Sequence, residues 1–184
     1  MTAWVGTVER TRAGIWLFFV SEVFLFGALL GMRFNLWGNT RPDLDQRLGL
    51  LVTAILLASS FFMYLAESAV AHGRRVVFLL STLVTASLGI AFLVGVVGFE
   101  WSGHLQPTDG VYGSVFFAMT GLHALHVASG VLFIAYIGIK GLRGRYTSAE
   151  HFGVEACAIY WHFIDVVWVF LYPALYLMGT AVQA

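Results

Sequence analysis

His151-Phe-Gly-Val-Glu155-Ala-Cys157-Ala-Ile-Tyr160-Trp161-His162-Phe-Ile-Asp165-Val-Val-Trp168-Val-Phe-Leu-Tyr-Pro173 is apolar enough to cross a bilayer, yet Glu155, His162 and Asp165 lie within it. Ionisable groups at membrane depth are expensive, so they face protein or water rather than lipid. The segment places the chain in a membrane and against partners. His162 and Asp165 are three residues apart, and Glu155 and His162 seven apart, so a helix here carries one polar stripe.

Working outward, a membrane helix needs about 20 mostly apolar residues. The charges divide the chain into five such stretches, approximately 13–36, 48–71, 76–99, 111–139 and 153–178. Between Arg12 and Arg33 only Glu22 is charged, and between Arg47 and Arg74 only Glu67. The runs are continuous rather than alternating, which argues against a β-barrel. The first run follows Arg10 and Arg12 but is too long for a signal sequence and holds Glu22, so it reads as a retained helix. The expected architecture is all-α: a polytopic membrane protein of one domain, residues 1–184, with five transmembrane helices in a bundle.

Of the 184 residues, 59% are hydrophobic and 11% charged, against roughly 25% charged in soluble domains. The net charge is zero, so no basic surface argues for nucleic acid. The single cysteine, Cys157, can form neither an internal disulfide nor a thiolate metal site. Lys and Arg favour the cytoplasmic side. Arg10, Arg12, Arg74, Arg75, Lys140, Arg143 and Arg145 share one side, and Arg33, Arg41 and Arg47 the other. This bias predicts a cytoplasmic N-terminus and an outside C-terminus, with Trp37, Trp101, Tyr112 and Tyr176 as an outer aromatic belt. Small residues at fourfold spacing predict close helix contacts: Gly27 and Gly31, Ala54 and Ala58, Ala91 and Gly95.

The polar residues at depth are the candidate functional ones. Glu22 falls roughly 15 Å into the first span at 1.5 Å per residue, and His162 and Asp165 lie at similar depth in the fifth. His123 and His126 share a face of the fourth span. Asp165 is expected to be hydrogen-bonded to a histidine or hydroxyl, because an unpaired carboxylate there is costly. Glu67 and Glu155 sit near span ends. Three readings follow. A haem or metal protein would need histidines on facing helices or Glu-x-x-His pairs, and the chain has no Glu-x-x-His. A proton or ion transporter would use the acids and imidazoles as a relay. A structural subunit would use them to hold helices together, bind lipid head groups or meet a larger catalytic partner. The residues alone leave the last two readings open.

Three blocks carry a resemblance to a known family. They are Trp16-Leu-Phe-Phe-Val-Ser21-Glu22-Val-Phe-Leu-Phe26, Asp109-Gly-Val-Tyr112-Gly-Ser through Gly121-Leu-His123-Ala-Leu-His126-Val-Ala-Ser-Gly130, and Tyr160-Trp-His162-Phe-Ile-Asp165-Val-Val-Trp168. In this order they resemble subunit III of the haem–copper terminal oxidases, in its short five-helix bacterial form. Longer members carry two further helices ahead of these five.

The resemblance implies an accessory, non-catalytic subunit of a respiratory complex, a cytochrome c oxidase by its tyrosine-tryptophan-histidine block. Such a subunit packs directly on subunit I, sits in a complex with subunit II, and can meet a small subunit IV or supercomplex partners. It binds phospholipid, supports proton uptake and protects the proton-translocating enzyme during dioxygen reduction. Haem and copper belong to the partner subunits, and this chain is expected to hold no cofactor or metal of its own. Glu22, His123, His126, Glu155, His162 and Asp165 then form the buried polar core. Arg74, Arg75, Arg143 and Arg145 are candidates for lipid head groups. The implied location is the bacterial plasma membrane. A quinol oxidase subunit III and a nitric-oxide-reductase accessory subunit share the resemblance.

Overall fold

The computed structural model describes the backbone of residues 2–182 and the side chains of residues 13–182. Five long helices follow the five apolar runs: α1 (Thr2–Trp37), α2 (Gln46–Ala71), α3 (Arg75–Leu93), α4 (Gly110–Leu142) and α5 (Phe152–Tyr172). Each contains a stretch long and apolar enough to cross a membrane. Two three-residue strands, β1 (Thr40–Pro42) and β2 (Thr180–Val182), pair in parallel and join the first loop to the tail.

The two ends of the bundle stop their helices differently. On the N-terminal side, α2 and α4 end in the same hydrogen-bonded glycine turn. After α4, Gly144 (φ 68°) bonds to the Gly141 carbonyl and Arg145 to that of Lys140. After α2, Gly73 and Arg74 bond to Val70 and Ala69 in the same pattern. The positive φ comes without strain only to glycine, and the turn satisfies carbonyls that the helix end leaves free. On the opposite side, α3 and α5 widen into π-helical turns, Val94–Phe99 and Pro173–Leu177. Pro173 has no N–H to give to the preceding turn, and the chain closes with Met178 N–H bonding to the Pro173 carbonyl. Asp45 caps α2 by accepting from the backbone N–H of Arg47 and Leu48.

α5 is the core of the bundle. Half of its most apolar stretch is buried (50%), against 11% for α1. Trp161 explains how the helices close on it. A Cβ on Gly89 of α3 would stand 2.7 Å from the Trp161 ring, and one on Gly130 of α4 2.8 Å from it. Two glycines therefore admit one indole between three helices. Its Nε1–H donates to Ser59 Oγ of α2 (2.9 Å), and Trp168 Nε1–H donates to Thr53 Oγ1 (2.9 Å). Both hydroxyls donate in turn to carbonyls of their own helix, so the two indole N–H groups and the two hydroxyls are all used, as lipid surroundings favour.

The small-residue expectation holds in part. Gly95 meets Val52 of α2, where a Cβ would lie 2.5 Å from Cγ1. Gly27 and Gly31, by contrast, have no atom within 4 Å of a Cβ position. The α1 glycine pair is not a contact face within the described residues, because α1 turns other residues toward the bundle. The aromatic belt is also corrected. Trp37 and Tyr176 are buried; Trp37 packs on Tyr112 (5.6 Å between centroids) and Tyr176 stacks on Tyr172 (5.3 Å). Trp37 ties the end of α1 to the start of α4, and Tyr176 packs the turn after α5 back on that helix, so both rings are covered by the protein.

Candidate functional site

In its middle, α1 meets the bundle through a polar contact with α4. Glu22 Oε2 lies 3.0 Å from His126 Nε2 of α4, with the side chains 13% and 15% exposed. His126 Nδ1 is 2.8 Å from the Leu122 carbonyl. A carbonyl only accepts, so Nδ1 carries a hydrogen. The Nε2–Oε2 contact then needs one further proton, held by ring or carboxyl, and either placement leaves the pair neutral as a whole. Phe26 covers the imidazole edge-on at 5.1 Å. Beside the pair, the Tyr160 and Ser129 hydroxyls bond at 2.6 Å, linking α5 to α4.

His123 does not join this pair, although it shares the helix face with His126. It is buried against Trp168 (4.8 Å), Phe92 (5.6 Å) and Phe26 (6.3 Å). Neither ring nitrogen has a hydrogen-bond partner among the described residues. Its aromatic surroundings come from three helices, α1, α3 and α5, which makes it a packing element at the centre of the bundle.

The stripe on α5 divides in the same way. His162 Nδ1 is 2.6 Å from Ser60 Oγ of α2. Glu155 stands apart at the helix start, with Oε1 3.2 Å from His151 Nε2. Asp165 is buried, with the Ser60 hydroxyl of α2 beside its carboxyl, though not within strict hydrogen-bond geometry. The α2 hydroxyls facing α5 are already taken, Thr53 by Trp168, Ser59 by Trp161 and Ser60 by His162. Among the described residues no group of three or more His, Cys, Asp and Glu could hold a metal ion.

Arg74, Arg75, Arg143 and Arg145 are exposed together at the N-terminal side of the bundle. Arg75 donates to the Leu142 carbonyl (2.6 Å), tying the second loop to the fourth. Next to it a small cleft of about 40 Å³ is lined by Gly73, Arg75, Tyr146, Thr147 and Ser148. Burial raises the Tyr146 phenol above its ordinary range, so it stands in the cleft as a neutral donor.

The residue that pattern reading missed is Arg33. It counts as a loop charge in the sequence, yet it is 1% exposed. Nε donates to the Ala174 carbonyl (2.6 Å), one terminal nitrogen to Gly38 (3.0 Å) and the other to Met178 (2.6 Å). Those carbonyls belong to the C-terminal ends of α1 and of the π turn after α5. Each helix C-terminus carries about half a negative charge, so two ends offset one guanidinium. Its position four residues before the Trp37-Gly38 helix end was the available signal.

The pattern that defines the family described as Cytochrome c oxidase subunit III matches residues 5–180. Cytochrome c oxidase subunit 3 of Dugong dugon is 36% identical over 188 residues, covering 95% of this chain and 72% of that protein. The Equus caballus and Phoca vitulina proteins of the same name are each 36% identical over 182 residues, covering 92% of this chain and 70% of theirs. Five membrane-length helices, the three sequence blocks in order and this coverage together establish that the chain belongs to the cytochrome c oxidase subunit III family.

Proposed function

We propose that this chain is the accessory third subunit of a respiratory cytochrome c oxidase in a bacterial plasma membrane. It packs on subunit I, shares the complex with subunit II, binds phospholipid and supports proton uptake and enzyme survival during dioxygen reduction. It performs none of the redox chemistry itself, since haem and copper reside in the partner chains. The observation that carries this reading is how the intramembrane polar groups are used. Glu22 closes on His126, His162 on Ser60 and Arg33 on carbonyls, so they fasten helices to one another. His123, buried among aromatic rings of three helices, adds a packing centre.

The seven-to-three distribution of Lys and Arg supports a cytoplasmic N-terminus. Anionic lipid then meets Arg74, Arg75, Arg143 and Arg145 on that side, where basic residues near the headgroups attract it. Tyr146 and the cleft beside Arg75 supply hydrogen-bond donors for a phosphate.

Affinity purification of the tagged chain from membranes in mild detergent tests the reading. The expected result is a complex with a haem absorption band and a copper-bearing subunit that oxidises cytochrome c. A complex that oxidises only quinol moves the chain to a quinol oxidase, and one that reduces nitric oxide moves it to that accessory role. A chain that purifies alone and moves ions in liposomes overturns the proposal.

A further inference from the structure

Asp165 is an acid at depth that the fold leaves without a counter-charge. It is 4% exposed. The ion pairs among the described residues are Glu22 with His126 and His151 with Glu155. Both carboxyl oxygens of Asp165 are enclosed, and the group beside them is the Ser60 hydroxyl of α2. That hydroxyl lies 2.6 Å from His162 Nδ1, one turn before Asp165 on α5. A single serine therefore stands between a carboxyl and an imidazole of the same helix face. All three groups are near mid-span. His162 is ten residues into α5 and Ser60 fourteen into α2, roughly 15 and 21 Å along the helices at 1.5 Å per residue.

The serine couples the two ionisable groups. A hydroxyl has one hydrogen to give and two lone pairs to receive with. If His162 Nδ1 is bare, Ser60 gives its hydrogen there and can only accept from Asp165, so the carboxyl must carry a proton. If Nδ1 carries a hydrogen, Ser60 accepts from the ring, its own hydrogen turns to Asp165, and the carboxyl is bare. The second arrangement leaves a lone carboxylate at depth, or a carboxylate with an imidazolium. The surroundings do not offset that charge. From α1, Glu22 is closed on His126. On α4, His123 is enclosed by aromatic rings. On α2, Ser59 and Thr53 are held by Trp161 and Trp168. The trough between α1 and α5 that His162 lines has no other ionisable residue in its walls. Burying an uncompensated charge away from water is costly, so the group neutralises instead. The first arrangement alone keeps every member neutral.

We propose that Asp165, Ser60 and His162 form one proton-binding site between α5 and α2, with the proton resting on the Asp165 carboxyl. The hydrogen bonds then run in one direction, from the Asp165 O–H to Ser60 Oγ and from the Ser60 O–H to His162 Nδ1. The carboxyl closes the first bond by turning about its last torsion, which is soft in aspartate. The hydrogen of the imidazole sits on Nε2. His126 is the reverse case, because the Leu122 carbonyl places a hydrogen on its Nδ1. Two histidines at similar depth thus differ in which nitrogen is bare. Because Ser60 faces both groups, Asp165 and His162 titrate as one unit. The site is a property of this chain and stands whether or not the chain is the third subunit of an oxidase.

Infrared difference spectroscopy of the full chain in lipid bilayers tests it. Asp165→Asn keeps the shape of the side chain and a donor for Ser60. At neutral pH this variant should lose the C=O stretch of one protonated carboxylic acid, a band that moves to lower frequency in D2O. Loss of carboxylate bands instead would overturn the proposal. Ser60→Ala removes one oxygen atom and gives a second measurement that does not depend on the first variant. It should shift the carboxylic C=O stretch, as the acid loses its acceptor, and change the ring signals of His162. Nuclear magnetic resonance of the chain labelled with 15N-histidine reads those signals, which are the ones lost in His162→Phe. In the parent chain they should show a bare Nδ1 and a protonated Nε2, with His126 the opposite. A hydrogen on His162 Nδ1 would overturn the assignment. So would Ser60→Ala spectra in which both the carboxylic stretch and the His162 signals stay where they were.

Discussion

α1 and α5 are both membrane helices with acids at depth, and they are held in opposite ways. α5 is gripped along its length by shape: the Trp161 indole enters a gap left by two glycines, and the N–H groups of Trp161 and Trp168 find hydroxyls on α2. α1 is largely exposed and is fastened at a few points, Glu22 to His126 in the middle and Arg33 at its end. Where lipid supplies no hydrophobic drive between helices, packing and hydrogen bonds must do the joining. α5 relies on both and α1 mainly on the second, which leaves one flank of α1 exposed among the described residues.

The largest expected effect falls on α1. Arg33→Leu leaves at least three carbonyls without their donor. At ~1–3 kcal/mol for each buried unsatisfied group, the isolated subunit should lose about 4 kcal/mol in a detergent unfolding titration. A loss below about 1 kcal/mol would mean that α1 is not clasped there. Gly130→Ala probes α5 by pushing a methyl into Trp161. Overpacking of this kind costs ~1–3 kcal/mol, and the same titration reads it.

Gly27→Ala should have the opposite sign. In the isolated chain that position is open, so exchanging glycine for alanine in a helix stabilises by up to ~1 kcal/mol. A destabilisation would show a contact of α1 within this chain. Glu22→Ala removes the middle fastening, worth ~0.6–1.7 kcal/mol as an interhelical bond. The oxidase should assemble with full haem content yet lose activity sooner in continuous turnover, while Glu22→Gln, which can still bond to the imidazole, should resemble the parent. Loss of haem from the complex would contradict an accessory role. The smallest effect is expected from Arg143→Ala with Arg145→Ala: a partial loss of co-purifying anionic phospholipid, measured by mass spectrometry, with unchanged unfolding.

The five helices were legible in the sequence because each apolar run exceeds the membrane thickness and charges or turns bracket it. The polar residues at depth were legible for the same reason, since Glu22 and Asp165 interrupt long uncharged runs. Which of them meet was not. Spacing puts His123 and His126 on one face, but only the placement of α1 decides that Glu22 takes His126 and leaves His123 among aromatic rings. Gly27 and Gly31 look like a contact motif, and Gly89 and Gly130 do not, yet the second pair admits Trp161. Glycine spacing records that something can come near and not what does. Arg33 was obscured because its counter-charge is made of carbonyls, which have no signature in side-chain sequence.

A guanidinium balanced by peptide dipoles relies on no carboxylate that acid could protonate. It is also withdrawn from the ions that weaken exposed charge pairs beyond a Debye length of ~8 Å at physiological strength. High-salt washes that strip peripheral subunits by screening should therefore leave the junction of the first helix with the C-terminal turn closed, and only agents that compete for backbone carbonyls should open it.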